Sequence, residues 1–206
     1  MQYPSKLIED AVNAFAKMPG IGKKTALRLV LHLLQNESKN TEQFTFALQN
    51  MRNNIKFCSV CSNVSDEDIC SICNNPYRNK KLICVVENFR DILAIEQTQQ
   101  YNGVYHILNG LISPIDGIGP DDLNINSLEE RIQQDEAEEI IMAVNPTIDG
   151  DTTIFYLSKK LSMYDIKITT IARGISFGGE LEFTDEVTLA RSLQARLPYE
   201  QYLNKY

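Results

Sequence analysis

The chain has 206 residues, of which 43% are hydrophobic and 23% charged, and its net charge is −7. This composition is ordinary for a globular protein and excludes an intrinsically disordered chain, because enough apolar surface is present to build a core. No apolar run approaches the roughly 20 residues that span a bilayer, and the N-terminus lacks the pattern of a secretion signal. We therefore expect a cytoplasmic protein that has no membrane partner.

The charge is unevenly distributed along the chain. Residues 1–57 carry eight basic and four acidic side chains, whereas residues 80–206 carry eleven basic and twenty acidic ones. A net acidic chain argues against nucleic-acid binding, because phosphates are contacted mainly by Lys and Arg. Residues 1–57 are net basic, however, so the acidity of the whole chain does not argue against nucleic-acid binding by this segment.

The first segment is predicted to consist of short helices. Apolar residues recur at three- and four-residue spacing over 5–17, 23–35 and 41–55, and Pro19-Gly20 ends the first helix. The apolar residues of the second helix are expected in the core; they are Ala26, Leu27, Val30, Leu31 and Leu34.

The turn "PGIGKK" joins the first two helices and places Lys23 and Lys24 at the start of the second. Arg28 follows Lys24 by one turn, on the same face. The first N–H groups of a helix are unpaired and its dipole is positive there, so this end can hold a phosphate of the DNA backbone without reading bases. The alternative is an ordinary corner between two helices with solvated lysines. His32 and His106 are interpreted as packed or surface histidines.

Four of the five cysteines lie within sixteen residues, in "CSVCSNVSDEDICSIC". The pairs Cys58/Cys61 and Cys70/Cys73 share a spacing that wraps one metal ion, and four thiolates suit tetrahedral zinc in a closed structural site. A disulfide framework is disfavoured because no export signal is present. Two redox pairs or an iron-sulfur cluster are the alternatives. Cys84 is expected to be a buried thiol within a strand.

Beyond residue 80, Ile- and Val-rich runs alternate with helical stretches, which predicts a parallel sheet covered by helices. A last helix is predicted over Asp185–Arg196, after a turn at Gly178-Gly179. The loop "ISPIDGIGPDDL" and the acidic run Glu129–Glu139 are expected to form a solvated surface insertion. The predicted strands are "KLICVVE", "VYHILNG", "EIIMAV" and "IKITTIA".

Three acids follow predicted strands: Glu87 ends the first, and Asp149 and Asp151 lie just beyond "EIIMAV". The carboxyl ends of parallel strands form the ligand crevice of a sheet, so these acids can converge. Three oxygen ligands with water suit Mg²⁺. The alternative is that Asp149 and Asp151 cap the following helix while Glu87 is solvated.

The order of these parts resembles the RecR family of bacterial recombination mediators over essentially the whole chain. The segments that carry the resemblance are "CVVEN", "YHILNGLISPIDGIGPDDL", "NPTIDGDTT" and "TTIARGISFGGELEFTDEVTL". It implies an α/β multidomain protein with a helix-hairpin-helix over 1–56, a C4 zinc finger over 57–79, a Toprim domain over 80–175, and a Walker-B-like segment with a helix over 176–206. No Walker A loop accompanies that last segment, so ATP hydrolysis is not inferred.

The resemblance also implies a function. Such a protein acts with RecO and RecF to load RecA onto single-stranded DNA coated by single-strand-binding protein, and assembles into a tetrameric ring that binds single- and double-stranded DNA. The DNA contacts would be Lys24 and Arg28, with Lys23 an added cation. The four clustered cysteines would hold zinc, and the three acids would form the Toprim acidic set, associated with partner binding. The family usually has glutamates where this chain has "DGD", which leaves Mg²⁺ binding open.

Three functions are therefore compared: a nonenzymatic DNA-binding mediator, a Mg²⁺-dependent Toprim nuclease or primase-like enzyme, and an adaptor that binds only protein. The first is preferred, because the metal site is closed and the N-terminal segment is basic. A length of 206 residues leaves little room for the separate catalytic modules of primases and topoisomerases.

Overall fold

The computed structural model of the chain describes residues 3–196 and 198–200. The first and last predicted segments each extend outside this part, at residues 1–2 and at Leu197 and 201–206. The chain divides into two compact units, Met1–Ile55 and Lys56–Tyr206. None of the helices in the described part combines the length and apolar character that a bilayer span requires.

The N-terminal unit contains α1 (Lys6–Phe15), α2 (Lys23–Gln35) and α3 (Ser38–Asn54). The predicted helices are confirmed, although α3 begins three residues earlier than expected. Its core is small: Val12 of α1 packs against Ala26 and Val30 of α2.

The expected core of this unit is only partly correct. Ala26 and Val30 are buried and Leu27 packs against them, but Leu31 and Leu34 are 40% and 67% exposed. No residue of α3 is buried. The reason is size, because a unit this short has too little chain to cover every apolar stripe that its helices present.

The C-terminal unit begins with a small hairpin, β1 (Lys56–Phe57) and β2 (Val64–Ser65), which sequence reasoning missed. A four-stranded parallel sheet follows in the order β4-β3-β5-β6. Its strands confirm the four predicted runs, with shorter bounds at their C-terminal ends: β3 (Asn79–Val86), β4 (Gly103–Ile107), β5 (Glu139–Met142) and β6 (Lys167–Thr170).

Helices cover both faces of this sheet, as predicted. On one face Ile83, Val85 and Val104 pack against residues of α5 and α6, and on the other Cys84 and Tyr105 pack against residues of α4. Cys84 is thus the buried strand thiol that was expected. The helices of this unit are α4 (Phe89–Gln97), α5 (Ile125–Gln134), α6 (Ile148–Lys160) and α7 (Glu186–Gln194).

The expected solvated insertion is wrong for much of its length. Ile112 and Leu123 of the loop are buried, and most of the acidic run belongs to α5 and β5. Leu128 and Ile132 of α5 are buried in the main core. This prediction was wrong because the acidic side chains of α5 lie on the outer face of an amphipathic helix. The apolar positions of that helix recur at helical spacing and face the core.

Candidate metal centre and nucleic-acid interface

The turn between α1 and α2 is built by local hydrogen bonds and by glycine. The Ile21 N–H donates to the Met18 carbonyl at 3.1 Å, and Gly20 has a φ of +78°, a left-handed conformation that favours glycine. Gly22 then forms the extended N-cap of α2 and has no capping side chain. The first N–H groups of α2 therefore point out of the hairpin without a side-chain acceptor.

The three predicted DNA-contact residues all lie on this exposed end of α2. Lys23, Lys24 and Arg28 are exposed, and none of them forms an ion pair with an acid in residues 3–196 or 198–200. Lys24 and Arg28 line one open groove along α2, next to His32. His32 is an exposed surface histidine that contacts Asn36. Cations without an acidic partner, beside the positive end of a helix dipole, are the features that phosphate binding requires.

The predicted zinc ligands converge. The Sγ atoms of the four cysteines lie within 4.8 Å of one another, and Cys61 Sγ is 3.6 Å from Cys70 Sγ. Zn–S bonds of about 2.3 Å in a tetrahedron place sulfur atoms about 3.8 Å apart, so this spacing matches one tetrahedral ion. All four cysteines are buried: Cys58, Cys61, Cys70 and Cys73.

Backbone hydrogen bonds shape each cysteine pair into a tight turn. The Cys58 N–H donates to the Asn63 carbonyl and the Ser62 N–H to the Cys58 carbonyl, with Ser62 in a left-handed conformation. Two backbone N–H groups point at sulfur: that of Cys70 at Cys58 Sγ, at 3.3 Å, and that of Cys73 at Cys70 Sγ, at 3.5 Å. Such donors stabilise thiolates and orient them toward a metal.

The donor set fits zinc. Hydrogen bonding to Cys70 and burial raise the pKa of the Cys61 thiol, so the buried cluster needs a dication to hold all four sulfurs as thiolates. Cys84 does not join the cluster. The four cysteines are a structural zinc site that leaves no ligand position open for chemistry.

The zinc-binding segment also covers the outer edge of β4. The Ile107 N–H donates to the Cys61 carbonyl at 2.9 Å, and Asn124 Nδ2 donates to the Ile107 carbonyl at 3.0 Å. Buried Arg131 donates to the Tyr105 carbonyl and, at 2.9 Å, to Asp135. These bonds satisfy backbone groups that an edge strand would otherwise expose. The zinc site and the sheet are thus one hydrogen-bonded structure.

His106 was predicted to be a packed or surface histidine, and it is packed. It is fully buried, and its Nε2 lies 2.7 Å from the Asn124 carbonyl oxygen. Burial lowers its pKa to about 4, so the ring is neutral at physiological pH. It is not part of a metal cluster in the described residues.

The predicted acids lie after their strands as expected. Glu87 directly follows β3 and accepts a hydrogen bond of 2.8 Å from Asn145 Nδ2. Asp149 and Asp151 lie in the first turn of α6, but the residue that caps this helix is Thr147, whose hydroxyl accepts from the Gly150 N–H at 3.1 Å. A Cβ on Gly150 would lie 2.0 Å from the Asn145 carbonyl oxygen, so this turn requires glycine.

Both carboxylate oxygens of Asp151 are occupied by arginines. Arg173 Nη1 lies 2.6 Å from Oδ1, and Arg191 Nη2 lies 3.3 Å from Oδ2. Hydrogen bonding to Arg173 holds the pKa of Asp151 below its usual value. In the described part of the chain, the four cysteines are the only group of three or more Cys, His, Asp or Glu whose ligand atoms gather. As they lie here, the three acids do not fit Mg²⁺.

Sequence reasoning missed the residues that partner these acids. Asn145, Arg173 and Arg191 carry no local signal of their role, because their contacts come from distant parts of the chain. Arg173 and Arg191 both contact Asp151, although they lie 22 and 40 residues from it in the sequence. The one available hint is position: Asn145 and Arg173 each follow a strand of the parallel sheet, where functional side chains gather.

Four family models match successive segments of the chain, in the order in which the domains were predicted. The model described as RecR, helix-hairpin-helix matches residues 8–52, and the model of the RecR zinc finger domain with four cysteines matches 55–75. The Toprim domain model matches 81–172, and RecR, C-terminal matches 174–196.

Three bacterial proteins, each named Recombination protein RecR, are similar over almost their whole length. The one from Cytophaga hutchinsonii is 58% identical, over 97% of this chain and 98% of that protein. The one from Amoebophilus asiaticus is 54% identical, over 97% and 100%, and the one from Flavobacterium johnsoniae is 54% identical, over 98% and 98%. With its four cysteines gathered as one zinc site and a helix-hairpin-helix before them, the chain belongs to the RecR family of recombination proteins.

Proposed function

We propose that the chain is a nonenzymatic mediator of DNA repair and recombination that binds DNA through the N-terminal hairpin. The single observation that carries this proposal is the exposed end of α2, where Lys23, Lys24 and Arg28 have no acidic partner in the part of the chain that the structure describes. Membership of a family named for recombination supports it.

The hairpin binds by charge and by backbone N–H groups. A phosphate at the start of α2 accepts hydrogen bonds from the first-turn N–H groups, while Lys24 and Arg28 hold the neighbouring phosphates along one helix face. No base edge is read in this arrangement. The hairpin therefore suits both single- and double-stranded DNA, which share the phosphate backbone.

In this proposal several copies of the chain act together as a homo-oligomer, the tetrameric ring that the resemblance to the family implies. Two observations support assembly. The apolar side chains Phe44, Leu48 and Met51 of α3 are 42%, 46% and 56% exposed, and an apolar groove runs between α1, α2 and the start of α3. Several hairpins that face one DNA molecule add their affinities, which compensates for the acidity of each chain.

The remaining segments have supporting roles in the proposal. Residues 1–56 bind DNA and contribute to assembly, and residues 57–79 hold structural zinc. The Toprim domain, 80–175, and the segment 176–206 contact partners. The partners proposed are RecO and RecF, with which the protein helps to load RecA at single-stranded gaps coated by single-strand-binding protein in the cytoplasm. The acidity of residues 80–206 suits basic protein partners.

The DNA assignment is tested by replacing Lys24 and Arg28 with Ala and measuring DNA affinity at several salt concentrations. The double variant should bind more weakly, and its salt slope on duplex DNA should fall by about 1.8 for each engaged hairpin, from two lost phosphate contacts. Lys80→Ala with Arg90→Ala is the matched control, because it removes the same charge from exposed positions of the other unit that form no ion pair among the described residues. Equal slopes for wild type and the Lys24/Arg28 variant would refute the assignment.

A Mg²⁺-dependent nuclease or primase-like enzyme is the second candidate, which the Toprim match over 81–172 favours. It requires Glu87, Asp149 and Asp151 to act together, and Asp151 to leave its two arginines. DNA cleavage or polymerisation that depends on Mg²⁺ and is lost in Glu87→Gln would establish this candidate. A protein that binds no DNA, alone or with a basic partner, would instead be an adaptor.

A further inference from the structure

Asp151 is the junction between the Toprim domain and the segment that follows it. Arg173 comes three residues after β6, while Arg191 lies in α7, within the segment that matches the C-terminal RecR model. Both guanidinium groups bond to the one carboxylate, at 2.6 and 3.3 Å. Two cations around one anion leave a net positive charge at this point.

The C-terminal segment, defined here as residues 174–196, has little else to hold it. None of the residues of α7 is buried. In the described chain, the bond from Arg191 to Asp151 is the only side-chain hydrogen bond that joins this segment to the residues before it. A cavity of about 480 Å³, lined by Val144 and Ile171 at the ends of β5 and β6 and by Val187, lies under the helix. The docked helix is therefore not packed tightly onto the sheet.

We propose that Asp151, whose other oxygen is held by Arg173, anchors the C-terminal segment through Arg191, and that this docked state and a divalent cation at Asp151 exclude each other. A carboxylate whose two oxygens are committed to guanidinium groups has no oxygen free for a metal, and the positive charge of the arginines repels a dication. The Toprim acid thus has a structural role in this chain. The inference goes beyond the proposed DNA function and does not depend on it.

The anchor is weak enough to be released. Arg191 and Asp151 are 47% and 41% exposed, and an ion pair of this exposure shifts an equilibrium roughly two- to fivefold. Release of the segment would free Asp151 Oδ2 from Arg191, while Arg173 stays on Oδ1 and Glu87 keeps its bond to Asn145. The position of the segment therefore determines whether Asp151 Oδ2 is free for another ligand.

Hydrogen exchange of the backbone amides tests the anchor. Asp151→Asn and Arg191→Gln should each speed exchange of the α7 amides roughly two- to fivefold, while the amides of β3 keep their protection and show that the domain is folded. Asp165→Asn is the matched control, because Asp165 is an exposed acid of the same domain with no ion pair among the described residues. Unchanged α7 exchange in Asp151→Asn, or no protection of α7 in wild type, would overturn the anchor.

Titration with Mg²⁺ alone tests the exclusion, with heat of binding and α7 exchange as readouts. The double variant Arg173→Gln with Arg191→Gln should bind Mg²⁺ at least tenfold more tightly than wild type, and adding Asp151→Asn should remove this gain. Wild-type protein that binds Mg²⁺ through Asp151 while α7 stays protected would overturn the exclusion. Neither readout involves DNA, so a failure here is distinguishable from a failure of the hairpin assignment.

Discussion

The five cysteines of this chain show how surroundings decide the role of a side chain. Cys58, Cys61, Cys70 and Cys73 are held by two tight turns that aim their sulfurs at one point. Cys84 is equally buried but lies in β3 among apolar side chains, where burial raises the pKa of its thiol to about 12. Four thiolates share a metal, whereas a lone neutral thiol only fills space.

Cys61→Ser should abolish stoichiometric zinc binding and destabilise the C-terminal unit. One ligand is lost, and the Cys61 carbonyl no longer has a fixed turn from which to accept the Ile107 N–H. Zinc content by mass spectrometry and a thermal melt measure both effects. Cys84→Ala should keep one zinc per chain, and a zinc-free Cys84→Ala protein would contradict the ligand assignment.

Glu96 connects α4 to β4 and to Arg78, the residue before β3. It pairs with Arg78 and accepts a 2.6 Å hydrogen bond from the Tyr105 hydroxyl, while Arg78 also donates to the carbonyls of Tyr101 and Gly103. Hydrogen bonding to Arg78 holds the pKa of Glu96 below its ordinary value of 4.5. The ionised form is therefore favoured by folding.

Glu96→Gln should lower the free energy of unfolding by roughly 1–2 kcal/mol at pH 7, because Arg78 loses its counterion. Since the pKa is depressed in the folded state, the stability from Glu96 is complete above pH 4.5 and is lost as the pH falls through the lower folded value. Urea denaturation from pH 7 to pH 3 should show the difference between wild type and variant shrinking only in the acid range. A constant difference throughout would contradict the ion pair.

At the scale of the elements, sequence patterns predicted what depends on local periodicity. The Ile- and Val-rich runs predicted the strands, and the Cys spacing predicted the zinc site. Pro19-Gly20 predicted the turn between the first two helices. Contacts between distant segments were not predictable, such as those of Asp151 with Arg173 and Arg191, because any exposed arginine could have made them. Helix α5 was misjudged because the acidic residues on its exposed face drew more weight than its apolar residues at helical spacing, which are buried.

Leu128→Ala should destabilise the C-terminal unit by about 2–4 kcal/mol, because the side chain is fully buried in the main core and its loss leaves a cavity. Glu130→Ala, on the exposed face of the same helix, should change the free energy of unfolding by less than about 0.5 kcal/mol. Chemical denaturation of the two variants measures the contrast. Equal effects would mean that α5 is the solvated insertion after all.

At the scale of the whole molecule, charge and apolar surface point to the same arrangement. The N-terminal unit carries seven basic and four acidic side chains, and the same unit leaves the apolar stripe of α3 exposed. Contact between copies through α3 would bury this stripe and bring several cationic hairpins together. We therefore expect assembly and DNA binding to depend on the same unit.

Leu48→Glu should weaken assembly, because it places a charge within the apolar stripe of α3. Sedimentation velocity should then show a smaller particle than wild type at equal concentration. Ile115→Glu is the control, since Ile115 is 96% exposed on a loop of the other unit and should leave the particle unchanged. A wild-type mass for Leu48→Glu would exclude α3 from the interface.

The mass of the native particle, measured with and without single-stranded DNA, tests assembly and DNA binding together. Several copies of the hairpin on one DNA predict a particle of about four times 23.4 kDa that gains the mass of one DNA strand. A particle of one chain that gains no DNA mass at low salt would contradict the claim that this acidic protein binds DNA through assembled basic hairpins.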